Sequence, residues 1–247
     1  TLSDVPMDAI ALKLFTGIEK FEIMAIPFFI LAGNFLTHGG VARRMIRFAS
    51  SMVGHWYGGL GLAAVLSCAL FAAISGSSPA TVMAVGSIML PAMVKQGYPA
   101  QFGVGTITSA GGLGILIPPS IVMVMYAVAT SGMVVQGPDG QPVMSASIGD
   151  LFIAGVIPGL MLAMMLAGTT TYRAWKFDYP RLPRAPFADR WKAFRESVWG
   201  LMLIVIIMGG IYGGIFTPTE AAAVSAVYAF VIAVFVYKDI KLSEVPR

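Results

Sequence analysis

Apolar residues in this chain fall into long blocks separated by short polar interruptions, and the blocks are long enough to span roughly 30 Å of hydrocarbon. Residues 5–18 have the spacing of a short amphipathic helix. Residues 21–38, FEIMAIPFFILAGNFLTH, form the first spanning candidate, interrupted by Pro27 and Asn34. In GGVARRMIRFASSMVGHWYGG, Arg43, Arg44 and Arg47 cluster within about one helical turn among Met45, Ile46 and Phe48, with Trp56 and Tyr57 following. That mixture predicts a helix lying in the membrane interface rather than crossing it. Clear spans are predicted at 151–172, after Asp150, at about 197–214, and at 221–237.

Two regions break this pattern. Between 58 and 96, the apolar run Leu60 to Ile74 is followed by SGSSPAT (75–81) and then by VMAVGSIMLPAMV (82–94). Two short arms around a polar turn predict a re-entrant hairpin, tolerated at membrane depth only where protein or a water-lined cavity surrounds the tip. Between 98 and 131, YPAQFGVGTITSA predicts a half-helix, GGLGILIPP an unwound stretch and SIVMVMYAVAT a second half-helix. Glycine permits dihedrals that other residues avoid, and Pro118 lacks an N–H while holding Ile117 extended. This break falls inside a run of 43 residues, Gln96 to Pro138, without Lys, Arg, Asp or Glu.

Composition supports the membrane reading. Charged residues are 11% and hydrophobic residues 57% of the 247, where a soluble domain carries about 25% charge. The net charge of +4 fits loops at an anionic leaflet; without a dense basic stripe interleaved with aromatics, nucleic acid is not an expected partner. The one cysteine, Cys68, sits in an apolar run and is expected to be a small buried side chain. The chain opens TLSDVPMDAI without an initiator Met or signal peptide, and it is expected to be an internal piece of a longer protein. Segment 173–195 carries seven basic residues and several prolines, which predicts a cytoplasmic linker. Walking back from it puts loop 132–147 outside, and puts Arg43, Arg44, Arg47 and Lys95 inside.

A polar hairpin tip meeting a broken helix near the midplane is how secondary transporters bind ions and anionic substrates. Ser75, Ser77 and Ser78 offer hydroxyl oxygens, and the carbonyls from Gly111 and Gly112 through Gly114 to Ile115 offer more, a neutral hard-oxygen set suited to Na⁺. The half-helix after Pro118 and Pro119, starting at Ser120, presents N–H groups to a carboxylate. The competing reading is that SGSS and GGLG are close-packing small residues between helices. Asn34 either bridges helices or lines the substrate path. Glu220 in TPTEAA is expected to complete a capping box with Thr217, against a role as ion relay. His38 and His55 are too far apart to suggest a metal site. No phosphate loop, nucleotide fingerprint or paired catalytic carboxylate is present, so neither an enzyme nor an ATP-driven pump is expected, and no cofactor is implied beyond Na⁺ as coupling ion.

The runs IPFFILAGNFLTHGG, AAISGSSPATVMAVGSIMLPAM, TSAGGLGILIPPS and GGIYGGIFTPTEAAAVSAVYA together resemble the large membrane subunit of tripartite ATP-independent periplasmic (TRAP) transporters over essentially the whole chain. The resemblance implies an all-α integral membrane protein of the bacterial inner membrane and an elevator-type transporter fragment with a re-entrant hairpin and a discontinuous helix. It implies a Na⁺-coupled symporter for a small organic acid, delivered by a periplasmic substrate-binding protein, working with a small membrane subunit amid membrane lipid. On this chain it implies a hairpin at 60–94, a broken helix at 100–130, and a sodium site shaped by the serines with Gly111, Gly112, Gly114 and Pro118. Substrate contacts are expected at Asn34, Ser78, Pro118, Pro119 and Ser120. The expected organisation is 1–57 as first span and interfacial arm, 58–131 as one transport-domain half, 132–172 as periplasmic loop and span, 173–195 as basic linker, and 196–247 as the start of a second inverted repeat. The alternatives are an elevator carrier working without a binding protein and a membrane scaffold that does not transport.

Overall fold

The computed structural model describes residues 20–38, 40–131, 134–136, 142–144 and 147–240; the helix expected at 5–18 lies outside them. A 3₁₀ turn, Phe21–Met24, leads into α1, Ala25–His38. Pro27 does not interrupt α1, because it occupies the third helical position, where the N–H has no intrahelical partner to lose. Helix α2, Val41–Val53, buries Val41, Ala42, Met45, Ile46 and Ala49 at helical spacing and turns its arginines outward. Arg44 pairs with Asp239 at 2.5 Å and Arg47 with Glu196 at 3.1 Å.

Helix α3, Gly59–Ser75, is the centre of the fold. All but three of its residues are buried, Cys68 completely, as expected for a helix apolar on every side. Its small residues admit close neighbours: a Cβ on Gly61 would stand 2.6 Å from the Thr170 side chain. Only Gly76 and Ser77 separate α3 from α4, Ser78–Lys95. The polar stretch 75–81, expected as a turn between two arms, is therefore mostly helical. Ser75 closes α3, and Pro79 at the second position of α4 suits a helix start. Helix α4 also runs through Pro91 unbroken, so it is longer and less interrupted than its sequence predicts.

Helices α5, Ala100–Gly111, α6, Leu113–Leu116, and α7, Ile121–Thr130, form the discontinuous element, bent by 41° at the break. The break occupies 117–120, the proline end of the unwound stretch expected at GGLGILIPP, and its glycine end stays near-helical. Gly112 keeps right-handed helical dihedrals (φ −58°, ψ −19°), whereas Ile117 before the prolines is extended (ψ 121°). Glycine permits unwinding, but paired prolines compel it. The expected polar loop carries a short antiparallel pair, β1, Val134–Gln136, and β2, Pro142–Met144, an exception to the all-α expectation.

Helix α8, Ile148–Lys176, starts at a capping box between Ser147 and Asp150 and overruns its expected span at both ends. Helix α9 covers Phe187–Tyr212, and α10 covers Pro218–Val231, continued by a π-helical turn, Ile232–Val236. Among the described residues, α1 with its 3₁₀ turn, α4, α8, α9 and α10 with its π turn are long and apolar enough to cross a membrane, and the bent α5–α7 element would be a sixth.

Part of the basic segment packs as a seam. Its non-helical part, 177–186, lies across the α2–α3 and α4–α5 turns. Leu182 N donates to Gly54 O (3.1 Å), Tyr98 Oη donates to Pro180 O (2.7 Å), and the Arg181 guanidinium stands 3.3 Å above the Tyr57 ring. Tyr98, Phe102 and Tyr179 form an aromatic cluster beneath. The turns that the sequence assigned to one side thus meet at one end of the molecule.

At the same end Tyr237 Oη donates to Glu196 O, with the Arg44 guanidinium 3.7 Å from its ring. Burial pushes the Tyr237 phenol up to about 12, and the nearby Arg44 charge only partly opposes this. A raised folded-state value favours the protonated phenol, so this contribution to stability is complete below the ordinary value of 10.0 and is lost as pH climbs towards 12. Melting curves of the full-length protein between pH 9 and 12 should therefore fall with pH, and Tyr237→Phe should flatten that fall; an unchanged slope would contradict the assignment.

Candidate functional site

The α3–α4 turn is held by its own hydroxyls. Ser77 O accepts from Thr81 N (3.0 Å) and Thr81 Oγ1 (2.8 Å), and Thr81 Oγ1 lies 3.1 Å from Ser75 Oγ. Ser75 and Thr81 are buried, so both hydroxyls are committed to shaping the turn. Thr81 was not singled out in the sequence; the available signal was a hydroxyl four residues after Ser77 in a helix, placed to bond back to its carbonyl. Gly33 of α1 was also missed. A Cβ there would stand 3.3 Å from Ser75 Cβ, so α1 closes one side of the turn.

The broken helix closes the other side. Gly76 has φ +60°, which glycine adopts without strain, and its carbonyl accepts from Ile121 N, the first residue of α7, at 3.1 Å. A Cβ on Gly76 would meet Pro119 O at 2.4 Å. Further along, a Cβ on Gly114 would stand 2.9 Å from both Ser77 C and Ser78 N, and one on Gly111 would stand 2.1 Å from Val82 Cγ2. The turn and the break are therefore in backbone contact, and Gly76, Gly111 and Gly114 are glycines because a neighbouring chain occupies the place of a side chain. Gly112 differs: the nearest atom to its Cβ position is Ser109 O, within its own element.

Three oxygens at this junction lack ordinary partners. Ser78 Oγ is enclosed and makes no hydrogen bond among the described residues. Pro118 and Pro119 stand where N–H donors would serve the carbonyls of Gly114 and Ile115 four residues earlier, so those oxygens have no helical donor. Neutral hydroxyl and carbonyl oxygens of this kind fit a small hard cation, whose chemistry favours oxygen ligands without demanding thiolate or imidazole.

The expected anion end of α7 is less open. Pro118, Pro119 and Ser120 are buried, and the N–H groups of Ile121 and Met123 already bond to Gly76 O and Ser120 Oγ. Asn34 is exposed beside Gly33, and its side chain makes no hydrogen bond among the described residues. Glu220 completes the capping box, accepting from Thr217 N at 2.8 Å and Thr217 Oγ1 at 2.9 Å. Beside it, a cavity of about 530 Å³ separates the α7 end from the starts of α8 and α10. No group of three or more His, Cys, Asp or Glu suited to a metal occurs among the described residues.

The family model described as tripartite ATP-independent periplasmic transporter, DctM component, matches residues 1–247. The chain is 76% identical to a C4-dicarboxylate TRAP transporter large permease protein of Rhodobacter capsulatus, over all of this chain and 56% of that protein. It is 54% identical to the C4-dicarboxylate large permease of Pseudomonas aeruginosa, over 97% of this chain and 53% of that protein. It is also 42% identical to an isethionate TRAP transporter permease protein of Oleidesulfovibrio alaskensis, over 96% of this chain and 35% of that protein. The chain spans about half the length of the two curated dicarboxylate relatives.

The junction should not tolerate side chains. Gly114→Val should lower stability by about 1–3 kcal/mol through overpacking against Ser77 and Ser78, and Gly112→Ala should cost much less. Thermal unfolding of both variants in the full-length protein tests this; equal melting points would refute the packing account.

Proposed function

Because the chain belongs to the DctM-component family of tripartite ATP-independent periplasmic transporters, a family of multi-pass inner-membrane permeases rather than enzymes, we propose that it forms part of a Na⁺-coupled importer of a C4-dicarboxylate. The observation that carries this reading is the junction itself: a tight helical turn in backbone contact with a broken helix, around an enclosed Ser78 hydroxyl and two carbonyls without helical donors. Ser78 Oγ and the Gly114 and Ile115 carbonyls would hold the ion, with Ser75 and Thr81 fixing the turn that presents them. Bound Na⁺ supplies positive charge at a junction that has none among its own side chains, and so favours an anionic substrate alongside. We assign the α3–α4 pair to the re-entrant hairpin and the α5–α7 element to the moving half of an elevator.

The dicarboxylate assignment rests on relatives named for that substrate, two of them at 76% and 54% identity, above the isethionate permease at 42%. Delivery by a periplasmic binding protein and partnership with a small membrane subunit follow from the family's tripartite organisation.

The test uses proteoliposomes holding the full-length permease and its small subunit, with a purified binding protein and a radiolabelled C4-dicarboxylate. Uptake should require both the binding protein and an inward Na⁺ gradient. Ser78→Ala should raise the Na⁺ concentration for half-maximal uptake by about tenfold, which corresponds to about 1.4 kcal/mol for one lost oxygen ligand. Sodium-driven uptake without the binding protein would instead indicate a carrier working alone. No uptake by folded protein across a panel of acids would indicate a scaffold.

A further inference from the structure

At the end of the molecule that carries the basic seam, a groove of about 360 Å³ runs between α2 and the first turns of α9. Phe48 and Met52 line one wall; Phe187, Arg190, Trp191 and Phe194 line the other. The groove is apolar except for one group. Arg190 lines it, and its Nε and Nη2 are enclosed and make no hydrogen bond among the described residues. Asp189, next to it in the chain, forms no ion pair with it. A guanidinium cannot shed its charge, so enclosed N–H groups without an acceptor call for one from outside the chain.

The surroundings define that acceptor. Phe187 is 79% exposed and Trp191 54%, and aromatic rings of this kind settle where hydrocarbon meets headgroups. Around the groove the charge is mainly positive. Lys192 and Arg195 line the neighbouring cavity with Trp191, and Arg43 lies exposed on α2; of the nearby carboxylates, Asp189 is exposed and Glu196 is engaged by Arg47. A planar guanidinium fork matches phosphate oxygens geometrically, and apolar walls suit the start of acyl chains. A groove of this size takes a headgroup, while the exposed rings beside it offer acyl chains a surface to lie along.

We propose that the α2–α9 groove holds one anionic phospholipid, its phosphate bonded to Arg190 and its chains against Phe187 and Trp191. Such a lipid would add to the protein's own links between α2 and α9, which include the Arg47–Glu196 pair, the Ser197 Oγ bond to Arg44 O and the Phe48–Phe194 ring contact.

The experiment is native mass spectrometry of the full-length permease with its small subunit, purified in detergent and supplied with phosphatidylglycerol or phosphatidylcholine. One phosphatidylglycerol should be retained in preference to phosphatidylcholine. Arg190→Gln should reduce that retention by about tenfold, and Arg190→Lys should restore it in part. Equal retention of the two lipids, or no change in Arg190→Gln, would overturn the proposal. Should Arg190→Gln not fold, brominated lipids read the same site in the wild type. Trp191 fluorescence, isolated by difference against Trp191→Phe, should be quenched more by brominated phosphatidylglycerol than by brominated phosphatidylcholine. Absence of quenching, or a photo-crosslinker at position 191 capturing polypeptide rather than lipid, would show that protein fills the groove.

Discussion

Everything at the candidate site follows from one deficit, the missing N–H groups of two adjacent prolines. Away from water, an unpaired backbone group is costly, so a helix broken in apolar surroundings must have its freed groups satisfied by other parts of the protein or by a ligand. At 118 and 119 the helix ends for lack of donors, and it restarts at Ile121 with an N–H that has no carbonyl of its own helix to meet. The Gly76 carbonyl at the tip of the α3–α4 turn supplies that acceptor at 3.1 Å. The broken helix and the turn therefore complete each other, which is why two interruptions far apart in sequence occupy one place in the fold.

That contact needs backbones to approach closely, and the glycines follow from it. Gly76 yields to Pro119, Gly114 to the Ser77–Ser78 peptide, and Gly111 to Val82, while Gly33 brings α1 against Ser75. Close packing and ion binding, rival readings of the same small residues in the sequence, are thus compatible. Packing brings the turn to the break, and the oxygens left without donors are what an ion would use. The buried helix α3 carries the turn into the centre of the molecule, and α8 backs the break: a Cβ on Gly159 would stand 2.9 Å from the Ile117 side chain.

Much of this was legible in the sequence. Helical spans at 21–38, 151–172, 197–214 and 221–237 were visible because apolar blocks of that length have few other uses, and the amphipathic arm around Arg43 to Arg47 was visible in its spacing. Glu220 was readable as a cap because Thr217, Pro218 and Glu220 form a local pattern that needs no tertiary information. The break was legible at its proline end, where Pro118 holds Ile117 extended, but not at its glycine end. GGLG looks unwound to a propensity argument, yet in this fold its glycines stay nearly helical and answer to steric demands from Ser77 and Val82, which no local pattern reveals. The role of Thr81 and the docking of 177–186 on two distant turns were hidden for the same reason: both depend on partners whose proximity only the fold creates.

The account's central claim is that turn and break form a single coupled site. Hydrogen–deuterium exchange of the full-length permease, compared in Na⁺ and in K⁺ at equal ionic strength, measures this most directly. If the claim holds, Na⁺ slows exchange in residues 74–82 and 113–124 together, with the Ile121 amide among those protected. Protection of one segment alone, or identical exchange in the two salts, would contradict it.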